Sequence, residues 1–141
     1  MSAALAVATA VTYVWLGMVL AISFLEAPLK FRAPEVTLRI GLGIGRLVFR
    51  ALNAVETAFA LTVLIVIVIG RPSSGVVAAE VVAMATLAVQ LVAVRPQLTR
   101  RSDQVLAGRQ APRSHAHHVY IALEAVKVVA LLIAGTLSLA A

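Results

Sequence analysis

The chain has 141 residues, of which 62% are hydrophobic and 13% charged. A soluble domain carries about 25% charged residues, so the composition excludes an ordinary soluble protein and points to an integral membrane protein. There is no cysteine, which excludes disulfides, thiolate metal sites and cysteine nucleophiles. The net charge of +6 could suit a nucleic-acid partner. The basic residues, however, fall in short stretches between apolar runs, a distribution the positive-inside rule explains with no nucleic acid. The partners expected are therefore the lipid bilayer and, at its surface, anionic lipid headgroups.

The first apolar segment covers about 3–27 and exceeds the roughly 20 helical residues needed to cross a hydrocarbon core. It lacks the basic start of a cleaved signal peptide, so a retained span is expected. Tyr13 and Trp15 lie within it, and Trp15-Leu16-Gly17 offers a place for close packing. Glu26 stands at its far end. Pro28 is expected to end this helix, and Pro34 to keep the next stretch from continuing it. Lys30, Arg32, Arg39 and Arg46 follow, offset by Glu35, and 34–40 reads as a short interfacial helix. Gly41 and Gly45 form a GxxxG pair suited to close helix packing. The same glycines do not follow a strand and no Lys-Ser/Thr succeeds them, so phosphate binding is rejected.

The second segment covers about 42–69. Arg46, Arg50, Asn53 and Glu56 recur every three or four residues, which places them on one helical face. Beyond Glu56 the run is apolar apart from Thr57 and Thr62. It is rich in β-branched residues, but a span in lipid must satisfy its backbone internally, so it reads as helix. A tight turn over 70–75 leads to the third segment, about 76–94, with Ser74 as its expected N-cap, Glu80 near its start and Gln90 near its end. Arg95-Pro96 closes it. The stretch 97–114, with Arg100, Arg101, Asp103, Arg109 and Arg113, reads as a polar loop.

The fourth segment, about 116–140, opens with His115-Ala116-His117-His118, and Ser114 is its expected cap. His117, Tyr120, Glu124 and Lys127 share one face. At 1.5 Å per residue, Glu56 and Lys127 both lie about 14–15 Å inside their spans. From this match, segments two and four are expected to pack face to face with a Glu56–Lys127 ion pair. Glu26, Arg50, His117, Tyr120 and Glu124, with Arg46 level with them, would line a polar vestibule. Glu80 would pair with Arg71 near the opposite surface. The first connection and its flanks hold five basic residues, the second holds Arg71 alone, and the third holds five. That bias places loops one and three in the cytoplasm of a bacterial inner membrane and both termini outside. The fold class is thus an all-α bundle of four transmembrane helices in a single domain. Each half is a span, a basic loop and a span with a polar face, with no residue-by-residue correspondence visible between them.

Four functional readings follow. The favoured one is a small carrier or channel-like protein for a proton, an ion or a small amphiphile, with Glu56 and Lys127 as a relay or coupling pair. Four spans enclose little volume, so a homo-oligomer is expected. The same pair could instead fix helix register in a non-catalytic subunit of a larger membrane complex. A membrane enzyme acting on a lipid or isoprenoid would use Glu56, Glu124 and His117 as acid–base groups. A metal or haem protein would use His115, His117 and His118, but the Glu-x-x-His spacing of four-helix carboxylate sites is missing. No metal site or cofactor is therefore assigned.

Trp15-Leu16-Gly17-Met18, Phe24 and Pro28 in the first span, Gly45 and Phe49 opening the second, and a histidine-initiated last span form a familiar layout. In it the chain resembles small four-span bacterial membrane proteins of unknown function, distantly like eukaryotic transmembrane protein 205. The resemblance implies the four-span architecture and no activity. Glu124 and Lys127 depart from it, standing where an Asn-type residue is expected.

Overall fold

A computed structural model describes residues 1–110, 112 and 115–141. The expected Ser114 cap and Arg113 lie outside the described residues. Four helices account for nearly all of the rest, with no strand among the described residues: α1 (Ala3–Arg32), α2 (Leu38–Gly70), α3 (Ser74–Leu106) and α4 (His115–Ala140). Each is long and apolar enough to cross a membrane. Hydroxyl side chains start three of them by accepting from a backbone N–H three residues on, which satisfies a donor the helix leaves open. Ser2 takes Leu5 N at 3.1 Å, Thr37 takes Ile40 N at 3.2 Å and Ser73 takes Val76 N at 3.4 Å. The cap of α3 is therefore Ser73, one residue before the expected Ser74.

Two expected boundaries are overturned, both at prolines. Pro28 does not end α1. A π-helical turn, Leu20–Glu26, precedes it, and the chain resumes an α-turn at Ala27 with the proline at its start. The wider turn absorbs the register change, and the start of a regular turn is where a missing N–H is tolerated. The same device operates in α3. The π-turn Gln90–Val94 precedes Pro96, and helix continues through Arg95–Leu106 instead of becoming a loop. Nor is 34–40 a separate interfacial helix. Glu35 adopts a left-handed backbone with φ of 68°, which turns the chain so that α2 begins at Leu38. The helix α2 then runs straight through the glycines. Gly41 lies against the Phe31 ring and Gly45 against the Lys30 side chain, so the GxxxG pair seats the end of α1. Gly17, by contrast, faces open space.

The helices form a ring in chain order. The helix α1 packs on α2 and α4, and α3 packs on α4 and α2, with α1/α3 and α2/α4 on the diagonals. The expected face-to-face packing of segments two and four is therefore replaced by a diagonal relationship. The centre is filled by Trp15, Leu16 and Val19 of α1, Ala83 and Leu87 of α3, and Ala130 and Leu131 of α4. Outward positions such as Leu61, Ile65, Val68 and Leu132 stay exposed, as lipid-facing side chains would.

The two prolines reveal a correspondence between the halves. A shift of 68 residues carries Pro28 onto Pro96, the end of one π-turn (Glu26) onto the end of the other (Val94), and Glu56 onto Glu124. The same shift pairs Ala8 with Val76, Thr12 with Glu80, Trp15 with Ala83, Val19 with Leu87, Leu52 with Tyr120, Val63 with Leu131 and Val66 with Ala134. Every member of these pairs is buried. The chain is thus two helical hairpins of equivalent register, running in the same sense because each contains two helices.

Candidate functional site

All four helices send polar side chains to the bundle centre. Lys127 of α4 lies between Glu56 of α2 at 2.5 Å and Glu124, one turn back on α4, at 2.6 Å. Its Nζ also donates to Gln90 Oε1 of α3 at 2.8 Å. An ammonium has three protons; here it donates to Glu56 and Gln90 and forms an ion pair with Glu124. Gln90 Nε2 donates in turn to Glu124 Oε1 at 2.8 Å. From α1, the Trp15 indole donates to Glu56 Oε2 at 2.9 Å and Ser23 Oγ donates to Glu124 Oε2 at 2.5 Å. The three charged side chains are no more than 1% exposed. A single charge at the centre of a span costs about 3 kcal/mol on insertion scales. Mutual pairing and neutral donors offset that penalty here. Two carboxylates and one ammonium leave a formal charge of −1, and Glu56 Oε1 is buried with no hydrogen-bond partner among the described residues.

One helical turn nearer the mouth, the network meets a cavity of about 450 Å³ that opens at the basic end of the bundle. Glu124 and Ser23 form its foot, and Phe24, Phe31, Phe49 and Tyr120 line its sides together with Lys30, Arg46, Arg95 and Arg101. Arg95 lies at the restart of α3 after the π-turn. Its guanidinium packs against the Tyr120 ring at 4.6 Å and the Phe49 ring at 5.0 Å from the centroids. The two rings meet edge to face.

The structure separates the residues expected at the site. Glu56, Glu124 and Lys127 join the network; Arg46, His117 and Tyr120 line the cavity; Asn53 is buried on the inner face of α2. Glu26 does not reach the cavity wall, and pairs with Lys30 at 3.6 Å. Arg50 points outward and is exposed, because it lies off the arc of α2 that turns inward. Arg46 is held by Asp103 at 2.7 Å. His115 and His118 are exposed, and among the described residues no three His, Asp or Glu side chains gather as a metal site would require. The expected Glu80–Arg71 pair does not form. Arg71 caps α2 in a left-handed conformation and is exposed, whereas Glu80 is buried and accepts from Thr12 Oγ1 at 2.6 Å.

Trp15, Ser23, Gln90 and Arg95 were not expected here. Arg95 stood at the expected end of a span, and the other three are isolated polar groups in apolar runs, whose available signal was chemical rather than periodic: a buried indole N–H or amide needs a partner. In comparisons with known proteins, no family model, no curated protein and no solved structure matches the chain.

Proposed function

We propose that this chain is a small carrier or channel-like protein of a bacterial inner membrane. In this reading its basic loops face the cytoplasm and its polar interior handles a proton, an ion or a small amphiphile. One observation carries the reading: a dry three-charge network spans all four helices and ends at the foot of an aqueous-sized cavity. Intramembrane ionisable groups facing a cavity mark ion or substrate pathways. Glu124 is the member that touches both, so it is the natural exchange point. A proton delivered to Glu124 would bring the network from −1 to neutral and leave Lys127 paired with Glu56 alone. That is a change of contacts between helices, which a carrier needs to couple charge to movement. The positive-inside bias of the loops supports the orientation. The enclosed volume supports assembly into an oligomer if a continuous path is to form.

The test is proton flux into reconstituted vesicles under an imposed pH gradient. Wild-type protein is expected to carry flux above empty vesicles, and Glu124→Gln and Glu56→Gln are expected to lower it at least tenfold. Equal flux in wild type and both variants would remove the network from any transport role. Mass spectrometry of copurifying small molecules and proteins would separate a carrier from a subunit of a larger complex.

A further inference from the structure

The geometry points to Arg95 as the binding residue for the acidic head of an anionic amphiphile, a carboxylate or phosphate monoester on an apolar chain, seated in the cavity at the basic end. Arg95 lines that cavity, yet Nε and Nη2 of its guanidinium are shielded from solvent with no hydrogen-bond partner among the described residues. These two nitrogens form the side-on edge of the fork, which matches carboxylate and phosphate oxygens two at a time. The Tyr120 hydroxyl, in the same wall, is likewise buried, and its polar neighbour is the Arg95 guanidinium itself. An unmet buried donor costs about 1–3 kcal/mol, and an acidic group in the cavity would meet the two guanidinium nitrogens.

The surrounding charges favour an anion. Lys30 has Glu26 and Arg46 has Asp103 as counter-ions, and Glu124 at the foot shares the Lys127 ammonium with Glu56. No carboxylate pairs with Arg95 among the described residues. The Phe49 and Tyr120 rings hold the guanidinium plane without consuming its donors. The rest of the wall is largely apolar. Phe24 and Phe31 line the cavity and are about two-fifths exposed, which offers apolar surface for the chain of the amphiphile. The cavity of about 450 Å³ falls within the range of small-molecule sites, about 300–1,000 Å³. A free inorganic anion would leave the aromatic walls unused.

This assignment deepens the carrier reading by naming a ligand class, and it is tested by binding alone, so it and the flux assay fail separately. Calorimetric titration in a neutral detergent would compare dodecyl phosphate, dodecanol and inorganic phosphate on the full chain. Dodecyl phosphate is expected to bind at least tenfold more tightly than either of the others. Arg95→Gln is expected to weaken it about 10–100-fold, the worth of a charged hydrogen-bond pair, and Arg95→Lys to weaken it less. Equal affinity for dodecanol, or unchanged affinity in a folded Arg95→Gln protein, would overturn the assignment. Inorganic phosphate binding as tightly as dodecyl phosphate would overturn the amphiphile. The comparison of the three probes on wild-type protein decides the matter even if Arg95→Gln does not fold.

Discussion

Glu56 and Lys127 meet at 2.5 Å although their helices stand on opposite corners of the bundle. The contact exists because both side chains are long enough to reach the bundle axis, where Gln90 and Glu124 complete the shell of the ammonium. A cation shared in this way is a different object from an isolated pair. Removing it strands two carboxylates, whereas removing either carboxylate leaves a neutral remainder.

That asymmetry sets the first expectation. Lys127→Met leaves Glu56 and Glu124 buried with a formal charge of −2, and is expected to destabilise the protein by about 3–5 kcal/mol. Glu56→Gln keeps an acceptor for Lys127 and brings the network to neutrality, so its cost is expected to stay near 1 kcal/mol. Thermal unfolding in detergent, read by circular dichroism, ranks the two. Equal destabilisation would contradict a shared ammonium.

Trp15 is the chain's single tryptophan, fully buried and bonded to Glu56. Its emission should therefore be that of a shielded indole, resistant to iodide. Glu56→Gln should shift the emission, because the charged acceptor beside the indole is gone, while a distant change such as Arg71→Gln should not. Trp15→Phe removes one of the two donors to Glu56 Oε2 and is expected to cost about 1.5–3 kcal/mol. Steady-state fluorescence and thermal unfolding give both readings, and a wild-type emission quenched freely by iodide would sink the placement of this side chain.

The sequence disclosed some of this arrangement and hid the rest for physical reasons. Apolar runs of sufficient length announce the helices, and recurrence every three or four residues puts Glu56 and Lys127 on inward faces at matching depth. Depth alone, however, does not say which helices are neighbours, since a Lys and a Glu can meet across a diagonal as well as across an interface. Pro28 and Pro96 misled because a π-turn is a backbone adjustment with no composition of its own. Gln90, Ser23 and Trp15 carry no periodicity to reveal them. The correspondence of the halves was concealed because most equivalent positions hold unlike residues, Trp15 opposite Ala83 and Leu52 opposite Tyr120, and apart from the Pro28/Pro96 and Glu56/Glu124 pairs it surfaces in the matched π-turns and shared burial.

Gly41 and Gly43 should respond oppositely to alanine. A methyl group at Gly41 would overlap the Phe31 ring, which seats the end of α1 and lines the cavity. Gly41→Ala is expected to cost about 1–3 kcal/mol by overpacking. At Gly43 a methyl group meets nothing within 4 Å, and alanine should stabilise α2 by about 0.4–1 kcal/mol through helix propensity. Thermal unfolding of the two variants checks the pair. A stabilising Gly41→Ala would mean the ring moves aside freely and the seat is not tight.

The equivalence of the hairpins makes its sharpest claim at Thr12 and Glu80. They occupy corresponding positions and bond to each other across the α1/α3 diagonal at 2.6 Å. Exchanging them should then preserve the interaction, with the carboxylate on α1 and the hydroxyl on α3. Thr12→Glu alone sets two buried carboxylates against each other and is expected to cost about 3–5 kcal/mol. Glu80→Thr alone is expected to cost about 1 kcal/mol, since the single Thr12 hydroxyl proton can then turn to the Ala8 carbonyl, 2.7 Å away. If the halves are interchangeable here, the double variant recovers to within about 1 kcal/mol of wild type, and the double-mutant cycle reports a large favourable coupling. A double variant as unstable as Thr12→Glu would show that the shared register does not extend to side-chain geometry, and the two hairpins would then be alike in burial pattern only.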